Sequence, residues 1–101
     1  MLFMTLATSE YSEAEAIEAL LAQIARGDKA ALGELYERMH AAVFGFAMSM
    51  CSSPADAEDI LHDTYLAVFS SAGQYKARGK PMAWIMTIAK NLARMRIRKA
   101  G

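Results

Sequence analysis

Apolar residues recur along this chain at helical spacing, and residues that start or stop helices separate the runs. Ile17, Leu20, Leu21 and Ile24 form an i, i+3, i+4, i+7 stripe. Ser12 and Glu15 precede it in capping-box spacing, and Gly27 follows where a helix commonly ends. A first helix over about 13–26 is therefore predicted. Asp28 can cap the next, in which Leu32, Leu35, Tyr36, Met39, Val43, Phe46, Ala47 and Met50 continue at the same spacing, predicting a helix over 28–50. Gly45 costs this helix about 1 kcal/mol relative to Ala, so it is expected to serve close packing. Ser53 and Pro54 open a third helix over 54–70, with proline at its first position and Asp56, Glu58 and Asp59 near its positive end. Ser71 to Lys80 has two glycines and no period and reads as a loop. Pro81 then starts a last helix over 81–99. The expected fold is all-α, a compact bundle of about four helices spanning 12–101. Residues 1–11 show no sustained period and are expected to form a disordered N-terminal arm.

Two helices have faces that differ sharply. On the third, Ala57, Ile60, Leu61, Thr64 and Val68 share an arc suited to a core, while Asp56, Asp59, His62, Asp63 and Leu66 share the opposite one. An apolar Leu66 among carboxylates suits a docking site for a basic helical partner. On the last, Trp84, Ile85, Ile88, Ala89, Leu92 and Met95 fall within an arc of about 140°. Thr87, Lys90, Asn91, Arg94 and Arg98 occupy the far side, offering cations, an amide and a hydroxyl to phosphates and base edges. Trp84, on the apolar arc, is expected to be a packing anchor. The loop before this helix carries Tyr75, Lys76, Arg78 and Lys80, the ingredients for holding single-stranded nucleic acid by phosphate contact and base stacking.

Charge reinforces that division. The 101 residues are electrically neutral in sum, yet residues 1–71 carry a net −8 and residues 72–101 a net +8 with no acid among them. Either the acidic part pairs with the basic tail within the molecule, or the chain presents two binding surfaces of opposite sign. A 54% hydrophobic content indicates a folded domain, and the eight methionines suit irregular core gaps or adaptable binding surfaces. The single Cys51 excludes an internal disulfide, and no Cys and His spacing suggests zinc, with His40 and His62 standing apart. No metal or cofactor is expected. Neither a secretory leader nor a run of about 20 apolar residues is present, so a cytoplasmic protein without a membrane span is expected. Asp56, Glu58, Asp59 and Asp63 fit dipole placement and solvation without a ligand motif, and there is no Gly-rich phosphate loop. Catalysis is not expected.

Two motifs in order, Ala57-Glu-Asp-Ile-Leu-His-Asp-Thr-Tyr-Leu66 and Ala83-Trp-Ile-Met-Thr-Ile-Ala-Lys-Asn-Leu92, resemble region two of the extracytoplasmic-function sigma factors, which are bacterial transcription initiation factors. The likeness covers about 28–99. It implies that the acidic helix docks on the β′ clamp helices of RNA polymerase core, with Asp56, Asp59, His62, Asp63 and Leu66 in that contact. It also implies that the loop and last helix recognise the −10 promoter element as it melts, with Asn91, Arg94 and Arg98 on the DNA-facing side. An anti-sigma factor often masks these surfaces in the family. His62 stands where the family usually has Gln, Lys90 replaces a frequent Arg, and Met95 stands where Asp is common. The family's second, helix-turn-helix domain is not expected within these 101 residues, which are either an excised domain or a natural protein lacking that half. The competing reading is a helical interaction module whose basic last helix binds an acidic partner, or another copy of itself, instead of promoter DNA.

Overall fold

The structure, a computed structural model, describes residues 2–76 and 79–100, and the side chains of residues 13–76 and 79–98. Four helices run α1 Leu2–Ala25, α2 Lys29–Met50, α3 Pro54–Ser71 and α4 Pro81–Ala100, with a 3-10 turn at Ala72–Gln74 after α3. No strand occurs among the described residues. The chain is therefore an all-α bundle, as the periodicity predicts.

The expected caps form. Asp28 Oδ1 accepts the Ala31 amide at 3.1 Å, and Ser53 Oγ accepts the Asp56 amide at 3.4 Å, so each satisfies a donor that the first helical turn leaves open. Gly27 takes a φ of 90°. Its amide reaches Ile24 O at 2.8 Å and the Asp28 amide reaches Gln23 O at 3.1 Å. That is the double bond of a Schellman end, which a side chain with a Cβ resists. Asp28 thus caps α2 one residue after α1 has closed, and the two helices fold back along each other.

α2 and α3 pack along one another, α4 lies against both, and α1 covers α2 and the 3-10 turn. The main core joins Ile17, Leu21 and Ile24 of α1 to Leu35, Met39 and Val43 of α2, Leu61 and Val68 of α3, and Ile85 and Ala89 of α4. Each large aliphatic side chain buried this way contributes roughly 1.5–3 kcal/mol. A second, smaller cluster of Ala47, Ala57, Ile60 and Ala93 lets α2, α3 and α4 approach closely near the far end of the bundle. All five residues expected on the buried arc of α3 are buried, joined by Tyr65.

Four expectations need correction. α1 begins at Leu2, so Ser12 and Glu15 lie inside a helix and not at its start. Residues 2–11 hold no Gly or Pro to interrupt it, and Leu, Met, Ala and Glu all favour helix, so the backbone continues through the stretch expected to be an irregular arm. Gly45 serves no close contact. A Cβ placed there meets no atom within 4 Å, and the residue is exposed. The buried strip of α4 is Pro81, Ile85, Ala89 and Ala93, rotated by roughly 50° from the predicted apolar arc at 100° per residue. Small alanines form that strip because α3 approaches there, which leaves Met95 60% exposed. Ala72–Gln74 forms a turn of helix within the expected loop.

Candidate functional site

α4 presents its polar face outward. Ile85, Ala89 and Ala93 are fully buried against the bundle, so Thr87, Lys90, Asn91, Arg94 and Arg98, on the opposite side of the same helix, are all exposed. Thr87 Oγ1 donates to the Ala83 carbonyl at 2.9 Å, which leaves its oxygen free to accept from outside. Among the described residues, Lys90, Arg94 and Arg98 form no ion pair. The face therefore combines uncompensated positive charge with an amide and a hydroxyl on a rigid helix. Such a surface can take phosphates by charge and base edges by hydrogen bonding.

α3 presents the opposite sign. Asp59, His62, Asp63 and Leu66 are exposed and Asp56 is half-buried, so the predicted docking residues do share one surface. Leu66 is 67% exposed, an uncovered apolar residue within an acidic surround. The acids are not equally open. Arg96 reaches across from α4, with Nη2 3.1 Å from Asp56 Oδ1 and 2.7 Å from Asp59 Oδ2. The hydrogen bond to Asp56 is the chief influence holding the Arg96 guanidinium above its usual range. Asp63 stands beside Ile60, Leu92, Met95, Arg96 and Arg98 around an apolar-floored groove between the two helices. Intramolecular pairing of acidic and basic segments thus occurs, among the described ion pairs, only through Arg96.

The connecting loop is more constrained than its composition suggests. Lys76 and Lys80 are exposed; Arg78 lies outside the described residues. Tyr75, expected to offer a stacking face, is half-buried. Its ring meets Trp84 edge-on at 5.3 Å and 62° between planes, and its hydroxyl donates to Glu18 Oε2 at 2.5 Å. The same carboxylate oxygen accepts the Gly79 amide at 3.0 Å. Trp84 packs at the edge of the main core, in agreement with the anchor role expected of it.

Sequence patterns missed Glu18 and Arg96. Glu18 stands 57 residues before Tyr75, and no periodicity in α1 distinguishes it from other surface acids. Arg96 carried one signal. On the helical projection it lies on the packed side of α4, where a cation needs an acid within reach. His40, by contrast, is accounted for locally: its ring stacks on Tyr36 at 5.0 Å and its Nδ1 lies 3.1 Å from the Tyr36 carbonyl. No helix among the described residues is long and apolar enough to cross a membrane.

Residues 35–101 match the family described as Sigma-70 region 2. The chain is 37% identical over 83 residues to an extracytoplasmic-function RNA polymerase sigma factor, SigK, of a Mycobacterium species (strain KMS), covering 81% of this chain and 43% of that protein. Similarity to the SigK proteins of Mycobacterium ulcerans and Mycobacterium tuberculosis is 34% and 32% over 88 residues, covering 84% of this chain and 47% of each. The chain thus spans about half the length of the curated relatives it matches. No solved structure matches it.

Proposed function

This chain belongs to the sigma-70 region 2 family, among the extracytoplasmic-function sigma factors, and from that premise we propose that it binds RNA polymerase core and recognises the −10 promoter element. The observation that carries this reading is the pairing of two outward faces of opposite sign on adjacent helices. α3 offers acids around Leu66, and α4 offers Thr87, Asn91 and the cations Lys90, Arg94 and Arg98, which are in none of the described ion pairs.

In this reading Asp59, His62, Asp63 and Leu66, with Asp56 at the edge, dock on the β′ clamp helices. Asp63 and Leu66 lead the contact, because Arg96 already neutralises part of Asp56 and Asp59. Lys76 and Lys80 with Lys90, Arg94 and Arg98 capture phosphates, Arg78 adding its charge from the loop. Thr87 and Asn91 take base edges of the strand as it melts. Tyr75 contributes by shaping the loop. The domain would act in the cytoplasm, do no covalent chemistry, and be open to masking by an anti-sigma factor across these same faces.

Asp63→Arg tests the docking. It places a cation on the acidic face, and like-charge contact at an interface costs several kcal/mol. Pull-down with RNA polymerase core is expected to fail for the variant while its circular dichroism and melting remain those of the wild type. Unchanged capture sinks the assignment. For promoter reading, the polymerase-bound chain is offered a randomised ten-nucleotide single-strand pool, and the retained strands are sequenced. Enrichment of a defined short motif is expected; a retained pool as random as the input rejects base recognition.

A further inference from the structure

A single carboxylate of α1 holds the loop that leads into the DNA-facing helix. Glu18 Oε2 accepts from the Tyr75 hydroxyl at 2.5 Å and from the Gly79 amide at 3.0 Å, so one oxygen joins two points four residues apart. The Tyr75 ring also packs against that of Trp84 in α4, with centroids 5.3 Å apart and planes at 62°. Gly79 has a φ of 76°, in the left-handed region that glycine enters without strain, and in that turn its N–H meets Glu18. Two residues beyond it Pro81 is fully buried, which fixes the start of α4. Glu18, Tyr75 and Trp84 thus tie three separate elements together at the base of a loop whose exposed Lys76 and Lys80 face solvent.

We propose that Glu18 is a positioning residue for base selection, its carboxylate setting the shape of the basic loop before DNA arrives. This rests on the reading that the loop and α4 recognise the −10 strand. Cations attract phosphates from many conformations, so charge alone gives affinity without sequence preference. Choosing among bases needs the loop in one shape, and ordering a free loop at the moment of binding is an entropic cost that a preorganised loop avoids. A hydrogen bond to an ionised acceptor is about twice as strong as a neutral one, which suits a single residue to that task. Tyr75 consequently belongs to the frame of the loop, with its hydroxyl bonded to Glu18 and its ring packed against Trp84.

Two measurements test the proposal, the first without polymerase or nucleic acid. Trypsin is added under native conditions and cleavage after Lys76 is compared with cleavage after Arg38 and Lys90. Where opening is fast, the rate reports how often the loop opens. Glu18→Ala is expected to accelerate cleavage at Lys76 roughly tenfold, the size of effect that losing a charge-assisted hydrogen bond gives, with the two helical sites unchanged. Glu18→Gln, which keeps an accepting oxygen but loses the charge, is expected to cleave at Lys76 at a rate between those of the wild type and Glu18→Ala. Equal cleavage at Lys76 in Glu18→Ala and wild type overturns the proposal, and so does acceleration at all three sites, which would make Glu18 a general support of the fold.

The second measurement repeats selection from the randomised strand pool with polymerase-bound chains. Glu18→Ala and Tyr75→Phe are expected to flatten the enriched motif several-fold while retaining polymerase binding, and the double variant is expected to do no more than either alone. A motif as sharp in Glu18→Ala as in the wild type overturns the proposal. A wild type that enriches no motif overturns the promoter reading itself, and with it the role in selection. The trypsin comparison separates that failure from one in the loop, because it needs no DNA.

Discussion

Tyr65 is where burial and chemistry conflict most openly. It is 5% exposed, and its hydroxyl finds no hydrogen-bond partner among the described residues. Burial, with the nearby Tyr36 adding to it, pushes the phenol above its ordinary value of 10.0. The folded chain therefore keeps this proton where the unfolded chain releases it. The associated stability is complete below about pH 10 and is lost as pH rises from there toward the folded value. Tyr65→Phe removes the unsatisfied hydroxyl while keeping the ring packed against Tyr36 at 5.0 Å. Urea unfolding at pH 8 is expected to show the variant unchanged or more stable, by about 1 kcal/mol. A second titration at pH 10.5 should show a smaller alkaline loss than in the wild type. A variant weaker by 1 kcal/mol or more at pH 8 would mean that the hydroxyl is usefully bonded.

The elements themselves were legible where local signals decide them. Asp28, Ser53, Pro54 and Gly27 carry their capping roles in their own chemistry, and each performs the expected one. The buried arc of α3 followed from spacing because its large apolar residues also mark the side where its neighbours lie. α4 was less legible. Its closest packing uses Ala89 and Ala93, and a hydropathy pattern weights Trp84, Ile88 and Met95 more heavily than small residues that admit a neighbour. The Glu18 contact was illegible for a different reason, since only the folded chain brings α1 beside a loop 57 residues later. Gly45 gives a test at this scale. It sits exposed in α2 with open space where a Cβ would go and no positive φ, so nothing offsets its entropic cost. Gly45→Ala is expected to stabilise the chain by about 0.5–1 kcal/mol, seen as a rise of several degrees in melting temperature. A lower melting temperature would show that α2 bends or packs at that position after all.

Across the whole molecule, neutrality in sum hides two surfaces that hardly cancel. The acidic face of α3 and the basic face of α4 meet at the groove that Asp63 shares with Arg96 and Arg98, yet the described ion pairs join the two faces through a single cation. Arg96 is the exception, because it sits where α3 and α4 touch. The cations left for a nucleic-acid strand among the described side chains are then Lys76, Lys80, Lys90, Arg94 and Arg98. If these five and the loop's Arg78 all engage phosphates, single-strand binding should weaken with a log–log salt slope of roughly −4.2, and duplex binding of roughly −5.4. Asp56→Asn combined with Asp59→Asn releases Arg96 from its acids, and the freed guanidinium is expected to steepen the single-strand slope by about 0.7. Fluorescence anisotropy of a labelled single strand at several salt concentrations measures both slopes. A wild-type slope near zero would remove phosphate capture from the account of α4. An unchanged slope in the double variant would mean that Arg96 stays on the α3 side even when its acids are gone, and that its role there is packing, not a reserve of charge for DNA.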